Sequence, residues 1–506
     1  MISNVLLSLC AGAVVAPVEA KVVSASLFKN GYAVLVREAP LANGETIISN
    51  IPQGALGTLW VTASPGVRLR EVVGTSITSE QTSNAKSLDE IISANVGKTV
   101  RLRMGDKEVV GRILSATGSI VILESAQGVS AYAKGAVTSI TAGKDLVWKT
   151  SVKTTSKAYR IRAEAPAGAK VYILALERGL TWAPAYAADI TNPKLDLTSK
   201  ATIMNDLADL NGIEVRLITG FPNMPFIGVL DPFTLSNSVD QFTMALMNMG
   251  APGQFRDAPG ALMQQNVAFG RMGESFSAAF DTSTMSGIQS EDLFFYTLPR
   301  LTLKKGERGY YVLFNFASDF EHLYEWSIPD DVQGDQYRPQ QTERPAEVWH
   351  SLKFKNNSKQ PLTTAAAITT KDGEILGQDI LTYTSPGAET TLKITKALDV
   401  AAESLEEEVG RERRSLPYGG VGNYPFDEIT LKGTISVRNH KSEAIKLRIT
   451  KLLSGELVSA DHDPMIVKMA KGLRAVNPRV RLVWTVDVPA GQKKDVIYQY
   501  KVLIRT

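Results

Sequence analysis

Cysteine is nearly missing from this chain: among 506 residues the only one is Cys10, inside an apolar segment at the start. Any fold built by the remainder must hold together by core burial, with no disulfide framework to close its loops. Histidine is scarce, at positions 322, 350, 440 and 462, and no nucleophile motif accompanies it. No stretch beyond the N-terminal segment reaches the ~18 consecutive apolar residues that a membrane-spanning helix requires. An excess of either charge is also lacking, with 55 basic residues against 52 acidic ones and a formal net charge of +3. The basic residues are dispersed, so the chain carries no electrostatic footprint for nucleic acid. A chain of this length can bury a sizeable core and should divide into about two to four domains.

What is present begins with a leader. Val5 to Ala16 is an apolar run, and Val18-Glu19-Ala20 is a small-residue cleavage signature, so residues 1–20 read as a signal peptide, although Met1-Ile2-Ser3-Asn4 contains no basic residue. Leu9, directly before Cys10, is too large for a lipobox. The expected location is the periplasm or the exterior.

Strand patterns then follow one another. Val22 to Phe28 and Tyr32 to Arg37 flank an Asn30-Gly31 turn, a second turn stands at Asn43-Gly44, and Val67 to Val73 alternates strictly. This N-terminal β unit spans 21–80 and ends in a Ser/Thr/Gln/Asn-rich stretch that reads as a linker. A second unit, 86–143, opens on Ser87-Leu88-Asp89-Glu90, a capping box for a short helix that stops at Gly97. Five short strands follow it, the pattern of an SH3-like or Sm-like small barrel. A β-rich domain covers 148–345, interrupted at about 225–290 by a Met-, Phe-, Gly- and Gln-rich insertion whose one periodic patch is Phe242, Leu246 and Met249. The last domain, 346–506, contains an Asp372-Gly373 hairpin signal and several alternating strands. The expected class is mainly β: antiparallel, immunoglobulin-like β-sandwich domains with one small barrel and few helices. Glu403 to Arg414, acidic then basic, suits a solvated helix with its dipole matched.

Several phrases carry a family resemblance. They are Phe28-Lys29-Asn30-Gly31, Glu177-Arg178-Gly179-Leu180-Thr181-Trp182-Ala183-Pro184-Ala185-Tyr186, Leu217-Ile218-Thr219-Gly220-Phe221-Pro222, Asn356-Asn357-Ser358, Leu381-Thr382-Tyr383-Thr384 and Ala397-Leu398-Asp399-Val400. Together the chain resembles the bacterial mucoidy-inhibitor-A-like proteins, which carry domain of unknown function 4139. The resemblance covers most of the chain from Lys21 and is densest over 172–222 and 345–505. Many relatives place a coiled coil after the N-terminal β unit; here a small barrel takes that place, which marks a divergent subgroup. The resemblance implies a β-rich, often exported protein and brings no catalytic residues.

Candidate chemistry is thin. Asp461-His462-Asp463 offers carboxylate and imidazole metal ligands, but strand alternation would put His462 on the opposite face from the two aspartates. Met244, Met247 and Met249 form a thioether cluster of the kind that takes Cu(I), or that simply fills irregular apolar contacts. Trp182 and Tyr186 are either a sugar-stacking pair or packing at a domain junction. Phe242, Leu246 and Met249, with Phe226, Phe233, Phe255, Phe269, Phe276 and Phe280, are candidate anchors on a membrane surface or partner through 225–290. Asp330-Asp331, and Asp206 with Asp209, are carboxylate pairs of the type that perform acid–base work. Gly419-Gly420-Val421-Gly422 follows no strand and ends on no Lys-Ser or Lys-Thr, so it is not a phosphate loop. No catalytic residue and no cofactor is expected. The favoured reading is a non-enzymatic envelope or surface protein that binds a protein or polysaccharide partner; the alternative is a carboxylate-dependent hydrolase of envelope polymers.

Overall fold

The computed structural model describes residues 16–220, 222–249, 288–290, 293–337, 346–417, 423–469 and 476–505. The described chain is mainly β, with antiparallel sheets packed as sandwiches. Its described residues divide into two compact units: those within 1–25, 34–178 and 224–257 form the first, and those within 26–33, 179–223 and 258–506 the second.

Twenty strands fall into four tandem copies of one five-strand pattern. The first copy is β1 (Lys21–Leu27), β2 (Tyr32–Pro40), β3 (Glu45–Ile48), β4 (Lys149–Glu164) and β5 (Lys170–Arg178). The second is β6 (Leu180–Asp189), β7 (Leu195–Asn205), β8 (Leu210–Thr219), β9 (Leu293–Leu303) and β10 (Arg308–Ser318). The third is β11 (Phe320–Ile328), β12 (Trp349–Lys355), β13 (Ala365–Lys371), β14 (Glu374–Leu381) and β15 (Glu389–Lys396). The fourth is β16 (Val400–Pro417), β17 (Asn423–Asn439), β18 (Ile445–Ser454), β19 (Arg479–Val488) and β20 (Lys493–Arg505). In each copy the first, second and fifth strands form one sheet, with the second in the middle, and the third and fourth form a hairpin in another. Within the second unit, each new hairpin joins the preceding copy's sheet by a parallel pairing: β13 runs beside β6, and β18 beside β11. The sandwich of the fourth copy is filled by Trp484, Tyr498, Tyr500, Leu447, Ile449 and Ile435, all nearly sealed from solvent. That of the third copy is filled by Leu352, Phe354, Leu381 and Leu392.

The crossing from the second strand to the third leaves one sheet for another, so its backbone groups lose their ladder partners inside the protein. Buried groups of this kind must be paired. In three copies one asparagine does this. Asn205, Asn356 and Asn439 each stand at the end of that crossing's first strand, and all are fully buried. Their Nδ2 groups donate to the carbonyls of Ala208 (2.7 Å) and Leu303 (3.0 Å), Gln360 (2.9 Å) and Thr384 (3.1 Å), and Glu443 (2.8 Å) and Val488 (3.1 Å). The Oδ1 atoms accept from Leu207, Ser358 and Lys441 two residues on. The corner also meets the turn between the fourth and fifth strands. Those turns, Pro166–Ala169, Lys304–Glu307, Ser385–Ala388 and Pro489–Gln492, each carry glycine at the third position with φ of +77°, +90°, +80° and +70°. This is the conformation a type II turn demands. The last carbonyl of each turn accepts from the N–H of Leu41, Asn205, Asn356 or Asn439, respectively. Leu41 therefore occupies the asparagine's place in the first copy, where Asn43 and Gly44 (φ 51° and 77°) turn the chain instead.

Other local expectations hold in detail. Helix α1 (Leu88–Ala94) is capped by Ser87, whose Oγ accepts from the Glu90 N–H, while the Glu90 carboxylate reaches the N–H of Lys86. Five antiparallel strands follow it, the last returning to pair with the first, around Val100, Leu102, Ile113, Val121 and Leu123. This whole element is inserted between β3 and β4.

Two expectations are overturned. The Ser/Thr-rich stretch after Thr78 is no linker: strand Arg68–Asn84 runs through it and pairs with β4 from Glu164 back to Lys149. A solvated two-stranded ribbon needs no apolar face, and threonine suits it. Glu403–Arg414 is not a helix but part of β16, paired with β17 along its length. A buried group decides this. Glu406 accepts from the hydroxyls of Tyr498 (2.6 Å) and Tyr500 (3.0 Å), and pairs with Lys451 at 3.0 Å, the two charged side chains being 7% and 2% exposed. Lys451 also donates to the Pro329 carbonyl. Tyr498 lies over Gly433, where a β-carbon would sit 2.0 Å from its ring.

Asn439→Ala should cost about 1–3 kcal/mol in urea unfolding, the cost of leaving buried carbonyls unpaired; a loss below half of that range would show that the corner is not supporting the fold. Lys451→Met should lose about 3–5 kcal/mol by stranding the Glu406 charge, whereas adding Glu406→Leu should recover most of it. If the double variant is as unstable as the single one, the pair is not electrostatically coupled.

Candidate functional site

Two histidines and two aromatic rings come together on β11 and β12. Phe320, His322 and Tyr324 alternate onto one face of β11. The antiparallel register sets Tyr324 opposite His350. The two rings stack, with centroids 4.8 Å apart and 8° between planes. His322 Nδ1 lies 2.8 Å from His350 Nε2, so one imidazole donates to the other. Burial lowers the pKa of both rings, and for His350, where the neighbouring His322 and Lys441 add to it, to about 4. Lys441, two residues past the Asn439 corner, stands over the Tyr324 ring at 5.8 Å and 3.8 Å from Asp399.

The opposite face of the same strands is a ladder of ion pairs. Lys353 bridges Glu321 (3.2 Å) and Glu389 (2.9 Å), Lys446 meets Glu321 (2.8 Å), and Glu325 holds Ser351 and Arg448. Hydrogen bonding from Lys446 keeps the Glu321 carboxyl below the usual carboxylate range. At the start of β11 this ladder opens into a groove of about 350 Å³, lined by Asp319, Phe320, Glu321, Lys353, Lys355 and Asn357 among others. Phe320 meets His322 edge-on at 5.5 Å, which ties the groove to the histidine pair. A second cavity of about 200 Å³ lies beside Pro329, Asp330, Leu453, Met469 and Arg479.

The residues singled out in the sequence go elsewhere. Trp182 and Tyr186 are core, not surface: they are 1% and 3% exposed, and their polar atoms donate to the carbonyls of Ile218 and Thr363. Stacking against a sugar is closed to them. Asp461 and His462 form an exposed tight turn, with φ positive at His462 and Asp463, and the Asp461 carbonyl accepts from the Trp484 indole at 2.8 Å. Among the described residues no group of three or more His, Cys, Asp or Glu is gathered to hold a metal. Met244 and Met247 are exposed on helix α2 (Val239–Met249), as is Leu246, while Phe242 is partly covered; the Met249 side chain lies outside the described residues. Ser238 and Gln241 cap α2 reciprocally. Phe226 is exposed, and Phe233 stacks on Tyr159. Phe255, Phe269, Phe276, Phe280 and the loop 419–422 also lie outside the described residues.

The carboxylate pairs are divided among separate partners. Asp206 meets Arg308, and Asp209 accepts from the Lys305 N–H. Asp330 is buried and accepts from the Val332 N–H and the Ser454 hydroxyl. Sequence reasoning missed His322 and His350 because nothing local joins them; only the strand register does. No family model matches the chain, and no curated protein matches it.

Between pH about 4 and the ordinary histidine value near 6.5, the unfolded chain binds a proton at His350 that the folded protein refuses. Stability from this residue is therefore complete above pH 6.5 and is lost as the pH falls towards 4. Melting temperatures measured across that window should fall with pH, and His350→Gln should flatten the slope. An unchanged slope in the variant would assign the acid sensitivity to other groups.

Proposed function

We propose that this protein is an exported, non-enzymatic envelope or surface protein, a divergent member of the mucoidy-inhibitor-A-like group, that binds a protein or polysaccharide partner through its β-sandwich scaffold. The observation that carries the binding reading is the open groove at the start of β11. Two of its carboxylates, Glu321 and Glu389, are already paired by Lys353, and it presents an amide, an aromatic edge and a lysine to solvent, the mixture of polar anchors and apolar wall that fixes a polar ligand.

Hydrolysis is the weaker reading. A glycosidase needs one acid held protonated by its surroundings. Among the described residues, each carboxyl whose titration is displaced moves downward, at Asp189, Glu321, Glu408 and Asp495. A peripheral membrane contact through the 225–290 region is favoured by α2, which displays Val239, Met244 and Met247 to solvent.

The groove reading is tested by titrating envelope polysaccharide fragments and envelope protein extracts against the protein. Lys355→Glu, at an exposed position, should weaken binding by about tenfold, equivalent to ~1.4 kcal/mol, with the fold intact by circular dichroism. Binding that is indifferent to this reversal would remove the groove from the proposal.

A further inference from the structure

The repeat pattern leaves one place empty. In the second unit, β6 accepts β13 in parallel along Ala185–Asp189, and β11 accepts β18 along Tyr324–Ile328. The first strand of the fourth copy, β16, has the same position in its own sheet, yet among the described residues it is the outer edge with no strand beyond it. The equivalent segment can be located. Opposite the corner Asn205 stands Leu180, and opposite Asn439 stands Val400. The accepting segment of β6 begins at the fifth residue after Leu180, and the same count from Val400 reaches Leu405. Inward-facing Glu406 then occupies the place of buried Tyr186. Leu405, opposite Thr434, and Val409, the bulged residue between Glu408 and Gly410, are 58% and 52% exposed. An edge with unpaired backbone groups and apolar side chains is a template for strand addition.

A matching donor exists at the other end of the repeat series. β3 is the third strand of the first copy, the kind of strand that docks on such an edge. Its outer side is taken in parallel by Pro17–Val18, which fills the place of a preceding copy's first strand. The same segment accepts from the Ser49 N–H through the Val18 carbonyl and holds the Asn50 side chain through Ala20. If residues 1–20 are removed as the export reading requires, β3 and Asn50 lose these partners.

We infer that the processed chain associates head to tail, the Leu405–Val409 edge of one molecule receiving β3 of a second copy in parallel. The two surfaces differ, so the contact is heterologous and adds molecules until it closes into a ring or extends as a filament. The inference rests on removal of the leader, and its test is kept apart from that reading by producing the chain directly from Lys21. In sedimentation experiments, that chain should form species larger than a dimer as concentration rises, whereas the full chain, with β3 covered, should remain monomeric. The double variant Leu405→Lys/Val409→Lys should abolish association with its circular dichroism unchanged. Because the chain from Lys21 lacks cysteine, Val409→Cys and Ile47→Cys molecules can be mixed under oxidation; a disulfide-linked pair should form only in the mixture. A chain from Lys21 that stays monomeric overturns the inference, as does association that survives the lysine variant or yields no mixed cross-link. Whether export cleaves after Ala20 is read separately, by N-terminal sequencing of the secreted protein.

Discussion

The structure turns on the cost of moving a chain from one sheet to another inside a sandwich. At that crossing, backbone donors and acceptors leave the ladder before water can reach them, and each unpaired group would cost more than a typical hydrogen bond returns. Asn205, Asn356 and Asn439 meet the need with one side chain apiece, since an amide carries both donor and acceptor. The Nδ2 group spans two carbonyls, one in the corner and one at or just past the end of the fourth strand. Each asparagine thereby locks the crossing to the hairpin that receives it. The glycine turn between the fourth and fifth strands closes the same knot from the other side.

This arrangement concentrates constraint at one end of each copy and leaves freedom at the other. The connection between third and fourth strands carries the small five-stranded element and its ribbon in the first copy, α2 in the second, and strands Glu456–Ala460 and Met465–Lys468 in the fourth. In the third copy it is only the Asp372-Gly373 turn, with φ of 52° and 81°. The tandem units thus share a fixed corner and differ in their excursions, which are where such units vary most freely. The groove and the histidine pair lie on the third copy, where β11 and β12 meet.

Much of the local structure was legible. Asn30-Gly31, Asn43-Gly44 and Asp372-Gly373 all turn with the positive φ that their residue types permit at low cost. The Ser87 cap and the strict alternation of Val67–Val73 describe real elements, because each signal acts within a few residues. Glu403–Arg414 misled because its charge order is compatible with either a helix or an edge strand, and the deciding contact, Glu406 with Lys451, reaches across two sheets. The repeat was hidden for a related reason. Long excursions separate the asparagine corner from its glycine turn by very different distances in the three copies, so no fixed period marks it. The histidine pair was invisible because residues 28 apart meet only through strand register.

By itself the sequence determined the strand-rich class, the placement of short turns and caps, and the dependence on core burial, because alternation, turn chemistry and the lack of cysteine are properties of the chain read locally. Only the tertiary structure decided which strands pair, that Trp182 and Tyr186 belong to the interior, and that His322 and His350 share a face. Those outcomes depend on long-range register, where moving a strand by one residue would turn every side chain to the other side of its sheet.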